Sequence, residues 1–294
     1  MELDAAHLGP EVVERYLRRN GLTSRKRFGQ NHLVDGDVLE AIVQAAAVQP
    51  GRHVLEIGPG IGILTAPLLA AGAQLTAVEV DARLALHLRE RFAGVEALRL
   101  VEGDFLDEDL ADLVAAPWDL IANLPYSITS PVLHRVLEGE PRPQRLVLML
   151  QREVAERIAA PPGAMSYLSV FVQYHAAVRV IRQVPATSFE PVPEVASAVL
   201  SGETHPRRLD PEREDDLWRL VQAGFRERRK MLHNVLVRQL PAIGHTRLLA
   251  ALDEVGIDPD RRPQTVSVEE WLALAAALGP LPPPGARNPP PALS

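Results

Sequence analysis

Asn123-Leu124-Pro125-Tyr126 is the segment of this chain best suited to chemistry on a planar amino group. The exocyclic nitrogen of a base such as adenine has its lone pair delocalised into the ring. A catalyst must hold that nitrogen in line with an electrophile and accept hydrogen bonds from its N–H groups. The Asn123 side-chain oxygen is one acceptor. The Leu124 carbonyl is a second, because Pro125 holds the preceding residue extended. Tyr126 can stack on a base, a contact worth about 1–3 kcal/mol. Such catalysis is positional and electrostatic, requires no metal, and lets proton loss follow transfer. The bland alternative is an Asn-x-Pro turn that closes a strand with Tyr126 in the core. RNA, DNA and protein amino groups all stay open at this point.

Three further features lie at the ends of the preceding strand-like segments. Glu56-Ile57-Gly58-Pro59-Gly60-Ile61-Gly62 follows an apolar run and opens a helix. Glycines there let backbone approach a ligand at a helix N-terminus. A dinucleotide fingerprint would place its third glycine at position 63, which is Ile63, so a nucleotide oxidoreductase is disfavoured. The spacing Gly58-x-Gly60-x-Gly62 resembles the first motif of class I methyltransferases. Glu79 ends the next strand, where a carboxylate can accept both ribose hydroxyls. Asp104, in Gly103-Asp104-Phe105, follows the third, where it can accept an adenine amino hydrogen. Each acid alone reads equally as a solvated strand end. Three consecutive strand ends in register read as one adenosyl pocket, since ligands of open α/β sheets collect there.

The elements that position these residues alternate. Apolar periodicity predicts helices over 38–48, 64–71 and 82–92. Strands are expected over 53–57, 75–80, 98–102, 119–122 and 145–150, and the pattern indicates a parallel α/β sheet. Two more strands are expected over 177–184 and 195–201. After Gly202 the composition shifts to charged helices over 211–240, 246–255 and 268–278. The expected organisation is an N-terminal extension (1–28), a methyltransferase domain with a Rossmann-like sheet (29–202), a smaller all-helical domain (203–278) and a tail (279–294). The tail holds seven of the chain's 26 prolines, and is expected to be disordered.

The 294 residues include no cysteine, which excludes disulfides and thiolate metal sites. The start of the chain lacks the layout of a signal peptide, and no apolar run is long enough to cross a membrane, so a cytoplasmic protein is expected. The net charge of −7 argues against general coating of nucleic acid. Its distribution points the other way: Arg15, Arg18, Arg19, Arg25, Lys26 and Arg27 form one run without acids, and Arg226, Arg228, Arg229 and Lys230 form another. On a continuous helix, Arg226, Arg229, Lys230 and His233 share one face, while Arg228 falls on the apolar side as a structural or paired residue. A solvated face is the competing reading for each cluster.

Taken in order, these motifs resemble the KsgA-type small-subunit rRNA adenine dimethyltransferases over roughly residues 23–280. Lys26-Arg27-Phe28-Gly29-Gln30-Asn31-His32-Leu33 is similar to that family's N-terminal cofactor motif, with His32 where Phe is usual. The glycine loop, Glu79-Val80-Asp81, Gly103-Asp104-Phe105 and the tetrapeptide follow. Phe189-Glu190-Pro191-Val192-Pro193-Glu194-Val195-Ala196-Ser197 resembles a later motif, and residues 225–234 resemble the helical-domain signature. The resemblance implies S-adenosylmethionine as cofactor, with contacts from Gln30, Asn31, Leu33, Gly58, Gly60, Glu79, Asp104 and Asn123. It implies base handling by Asn123, Leu124, Pro125, Tyr126 and Phe189. RNA contacts fall on Arg25, Lys26, Arg27, Arg226, Arg229 and Lys230. The implied reaction is dimethylation of two adjacent adenosines in the 3′-terminal hairpin of 16S rRNA, within a pre-assembled small subunit, by a monomer. A 23S rRNA methyltransferase of the macrolide-resistance type, and an assembly factor acting mainly by binding, are the alternatives.

Overall fold

The computed structural model describes residue 3, residues 5–25 and residues 29–283. Lys26 and Arg27, and the tail beyond residue 283, lie outside the described residues. The chain divides into two compact units: Met1–Glu156 with Ala176–Thr204, and Arg157–His175 with His205–Ser294.

In the first unit the strands are β1 (His32–Leu33), β2 (His53–Ile57), β3 (Gln74–Glu79), β4 (Leu98–Glu102), β5 (Trp118–Asn123), β6 (Arg145–Gln151), β7 (Ala176–Val184), β8 (Phe189–Glu190) and β9 (Ser197–Thr204). Seven of them form one sheet in the order β4-β3-β2-β5-β6-β9-β7. The first five in that order run parallel. The last two, β9 and β7, are antiparallel and extend the parallel run expected for the first five. The reason lies in residues 185–196. A parallel return needs a crossover, commonly a helix. That stretch instead pairs β8 with β1, matching Leu33 to Phe189 and His32 to Glu190.

The helices of this unit are α1 (Pro10–Arg19), α2 (Gly36–Ala46), α3 (Thr65–Ala70), α4 (Ala82–Arg91), α5 (Leu110–Leu113) and α6 (Thr129–Glu138), with α7 (Arg152–Ile158) crossing into the second unit. Side chains of β5 and β6 are buried almost throughout, as expected of central strands covered on both faces. Asp35 caps α2 by accepting from Val38 N–H at 3.2 Å. Asp81 caps α4 by accepting from Arg83 N–H at 3.1 Å. Val13, Leu17 and Leu22 pack into the core with α2 and the sheet, so the described part of the expected extension belongs to this unit. The order of strands reverses between β2 and β5. Their carboxyl ends therefore flank the switch point where open α/β sheets bind ligands.

The second unit contains α8 (Tyr167–His175), α9 (Pro211–Phe225), α10 (Leu232–Gln239), α11 (His245–Glu254) and α12 (Val268–Leu278). A single boundary near residue 203 does not describe this division, because α8 leaves the span of the sheet. Its aromatic residues explain where it goes. Phe171, Tyr174 and His175 place their rings 5.2, 5.1 and 5.8 Å from that of Trp218 on α9. The helix expected over 211–240 is two helices separated by a turn. Leu232 and His233 N–H groups donate to the carbonyls of Arg261 and Pro259, which satisfies the new helix start from another segment. A continuous helix would also set Arg226 beside Arg229 and Lys230 at repulsive spacing.

Candidate active site

The glycine loop leaves β2 with Gly58, Gly60 and Gly62 at φ of 68°, 62° and 82°, values that L side chains rarely adopt. Gly62 N–H donates to Pro59 O at 2.9 Å and closes the turn. The three glycines differ in what surrounds them. A Cβ on Gly62 would stand 2.8 Å from the Phe92 ring, so that position is small for packing. Gly58 and Gly60 instead line an open cavity, with Pro125 and His32 as their respective neighbours.

Glu79 is 4% exposed. One carboxylate oxygen accepts from Gly60 N–H at 3.0 Å and the other from Asp81 N–H at 2.9 Å. Burial raises its pKa, and those two backbone bonds oppose the rise. A carboxylate oxygen can accept more than one hydrogen bond, and Glu79 lines the cavity. Glu56, below the loop, is buried and receives the Thr65 hydroxyl at 2.7 Å. Burial, with the nearby Glu79 charge, pushes it up to about 8 despite that bond.

The N-terminal motif closes one side of the cavity through Gly29, Gln30, Asn31, His32 and Leu33. Gln30 bridges two segments: its carbonyl oxygen accepts from Arg25 N–H at 2.8 Å, and its amide donates to Asp81 at 3.1 Å. Burial opposes charge on Asp81. The Arg83 guanidinium, the Gln30 amide and the Arg83 backbone nevertheless hold its carboxyl at about 2. Arg25, expected to contact RNA, lies 3.9 Å from that same carboxylate. Asn31 donates to Gly29 O at 3.2 Å, which shapes the start of the motif.

β5 delivers the tetrapeptide to the cavity, with Pro125 beside Gly29 and Gly58. The half-buried Asn123 side chain has no hydrogen-bond partner among the described residues and lines the cavity. The Leu124 side chain is buried, and its N–H donates to Met149 O at 3.2 Å. Among the described residues no backbone donor is bonded to the Leu124 carbonyl. Pro125 sits at φ −55°, ψ 130°, turning the chain into the short helical turn Tyr126–Ile128. The Tyr126 hydroxyl is 2.7 Å from the Ser197 hydroxyl. Burial raises the phenol's pKa, and that hydrogen bond opposes the rise.

The cavity brings together Gln30, Asn31, Leu33, Gly58, Gly60, Glu79, Asn123, Leu124, Pro125, Tyr126 and Phe189. Two expectations need adjustment. Asp104 is exposed, spends one oxygen on Leu106 N–H at 3.0 Å, and is not among the cavity-lining residues. It is held near them, because Gly103 N–H donates to Glu79 O at 3.0 Å. Phe189 is 1% exposed and packs in the core, so it forms the wall behind the cavity. Ser197 closes the Phe189 motif, but nothing in the sequence assigned it to Tyr126. It is 71 positions from Tyr126, and only β9 brings it there.

In the second unit, Arg226, Arg228, Arg229 and Lys230 all stand exposed in the turn after α9. The expected helix face is therefore incorrect. His233 is tied to Pro259 O at 2.7 Å, and Arg228 is exposed in the turn with no ion pair among the described residues. Glu227 is drawn away by Arg238 at 2.9 Å.

Strand order, glycine loop and strand-end acids define a class I methyltransferase fold. A model of the ribosomal RNA adenine dimethylase family matches residues 21–278, and the chain belongs to that family. It is 43% identical over 272 residues to a Synechococcus sp. protein named ribosomal RNA small subunit methyltransferase A, covering 89% of this chain and 98% of that one. Among solved structures, a 23S rRNA methyltransferase, ErmE, is similar with a TM-score of 0.70 at 30% identity, over 84% of this chain and 99% of that one. A dimethyladenosine transferase from Plasmodium falciparum is similar with a TM-score of 0.72 at 25% identity, over 83% and 95%.

Proposed function

We propose that this chain transfers methyl groups from S-adenosylmethionine to N6 of two adjacent adenosines in the 3′-terminal hairpin of 16S rRNA, two methyls to each, on a pre-assembled small subunit in the cytoplasm. The observation that carries the reading is a pair of acceptors without partners among the described residues, Asn123 Oδ1 and the Leu124 carbonyl, at the end of β5 beside the glycine loop. A polar group left unpaired in a half-buried wall is disfavoured unless a ligand completes it.

The cavity suits the cofactor on its own chemistry. Gly58 and Gly60 form a cradle that side chains would fill, and Glu79 offers two lone pairs to vicinal hydroxyls. Gln30, Asn31 and Leu33 close the other side, and Asp104, next to the Gly103 that bonds Glu79 O, is the acceptor assigned to the adenine amino group. When bound, S-adenosylmethionine supplies an electrophilic methyl group on a sulfonium. The chain's part is to aim the nucleophile. Asn123 and Leu124 accept the two amino N–H bonds and so orient the lone pair, while Pro125 fixes the carbonyl. Tyr126 stacks on the base, and Phe189 backs the wall. Near-attack alignment of this kind replaces a strong base. The proton leaves to solvent after transfer.

Arg226, Arg228, Arg229 and Lys230, in an exposed turn, suit phosphate contacts that position RNA without reading its sequence. Arg25, with Lys26 and Arg27 next to it in sequence, is the second basic set assigned to RNA. Identity of 37–43% to several proteins named small subunit methyltransferase A supports the small-subunit substrate over the 23S alternative. Parallel assays on undermethylated small and large subunits test it. Methylation confined to the small subunit is expected, and methylation of large-subunit precursors would reverse the assignment.

A further inference from the structure

His32 is a polar side chain in the cavity that the reading above leaves without a task. As the first residue of β1, its backbone is fixed by pairing with Glu190. The side chain is 6% exposed and lines the cavity. Its Nδ1 lies 3.6 Å, and its Cε1 3.7 Å, from where a Cβ on Gly60 would stand. The ring therefore occupies the floor directly beside the glycine whose N–H holds Glu79. Among the described residues the imidazole has no hydrogen-bond or ion-pair partner. Burial pushes its pKa down to about 4, so at neutral pH it is an uncharged ring with one N–H donor and one acceptor nitrogen.

The residue is buried, but its ring nitrogens are not sealed into the core, and it lines the cavity. Buried polar groups are normally paired, and a hydrocarbon ring would fill the same space without that requirement. The two carboxylates that share the cavity are engaged elsewhere, Glu79 by the Gly60 and Asp81 N–H groups and Glu56 by the Thr65 hydroxyl. A ligand in the cavity is therefore within reach of the ring.

We propose that His32 is a ligand-binding residue, whose imidazole hydrogen-bonds an oxygen of the bound S-adenosylmethionine beside Gly60. The inference rests on the reading of this cavity as the cofactor site. A ribose hydroxyl and the amino-acid carboxylate share the required chemistry, and both can receive the ring N–H. The contact selects for an oxygen-bearing ligand at this point and anchors the cofactor to β1. Through the β1–β8 pairing, it also ties cofactor binding to the segment that carries Phe189.

The test is calorimetric titration of the full chain with S-adenosylhomocysteine, comparing the natural protein with His32→Phe, which preserves an aromatic ring. The expected result is a dissociation constant raised about five- to ten-fold, the loss of one hydrogen bond. Titration with methylthioadenosine, which lacks the amino acid, locates the oxygen. A penalty that persists assigns the ribose, and one that disappears assigns the carboxylate. A second readout needs no variant: the His32 ring nitrogens in ¹⁵N-labelled protein should shift on saturation with S-adenosylhomocysteine. Equal affinity of His32→Phe together with unshifted ring nitrogens would overturn the proposal while leaving the cofactor site intact. If the natural protein failed to bind S-adenosylhomocysteine at all, the cofactor reading itself would fall.

Discussion

Glu79→Gln isolates the carboxylate that joins the glycine loop to the cofactor. The two oxygens of Glu79 each accept one backbone N–H, from Gly60 at 3.0 Å and Asp81 at 2.9 Å. Glutamine keeps the shape but supplies one acceptor and one NH2 donor. Whichever way the amide turns, one buried backbone N–H faces another donor. Leaving such a group unpaired costs about 1–3 kcal/mol, and that loss should appear in the stability of the free protein. Cofactor binding loses a second quantity, the charge-assisted bonds to the ribose hydroxyls, at about 1.5–3 kcal/mol each. Loss of one such bond corresponds to a roughly ten- to 150-fold weaker dissociation constant. Thermal melting with and without S-adenosylhomocysteine, and calorimetric titration, separate the two effects. The variant should melt lower when free, and ligand should raise its melting temperature much less. A variant that binds S-adenosylhomocysteine as tightly as the natural chain would refute the ribose role of Glu79, whatever its stability.

Tyr126→Phe and Ser197→Ala each remove one end of the 2.7 Å hydroxyl contact. Each should lower kcat/KM about five-fold with S-adenosylhomocysteine affinity unchanged, and the double variant should lose no more than either alone; additive losses would show that Ser197 does not act through Tyr126. Arg229→Ala and Lys230→Ala should weaken binding to small subunits and reduce the steepness of its salt dependence by about 0.7–1 per contact. An unchanged slope removes this turn from the RNA interface. Glu56 carries a pKa raised by burial to about 8 from 4.5. The stability this protonated group contributes is complete below about 4.5 and is lost as pH rises through about 8. The total is at most about 5 kcal/mol. Glu56→Gln should therefore resist alkaline destabilisation better than the natural chain, and parallel pH profiles of the melting temperature would contradict this.

Much of the site was legible because it lies where strands end. Gly58, Glu79, Asp104 and Asn123 announce themselves through short apolar runs followed by a residue with special backbone freedom or a carboxylate. Local pattern fails where long-range packing decides. The periodicity of 211–240 passes through Phe225–Leu232 without a proline or glycine, so only the carbonyls of Arg261 and Pro259 show that the helix restarts at Leu232. α8 reads as a continuation of the sheet domain until the ring of Trp218 is seen to attract it. The Phe189 motif implied base handling, and pairing of β8 with β1 sets that residue both in the core and on the cavity wall, a placement only the fold reveals. Ser197 could be recognised as a partner for Tyr126 only in three dimensions.

The most direct measurement is base-resolved mass spectrometry of undermethylated small subunits incubated with labelled S-adenosylmethionine and this protein. Two adjacent N6,N6-dimethyladenosines in the 3′-terminal hairpin of 16S rRNA are expected, and none when Tyr126→Ala replaces the natural chain. Label on another base or another RNA, or full modification by Tyr126→Ala, would contradict the assignment of Asn123-Leu124-Pro125-Tyr126 as the adenine-holding segment.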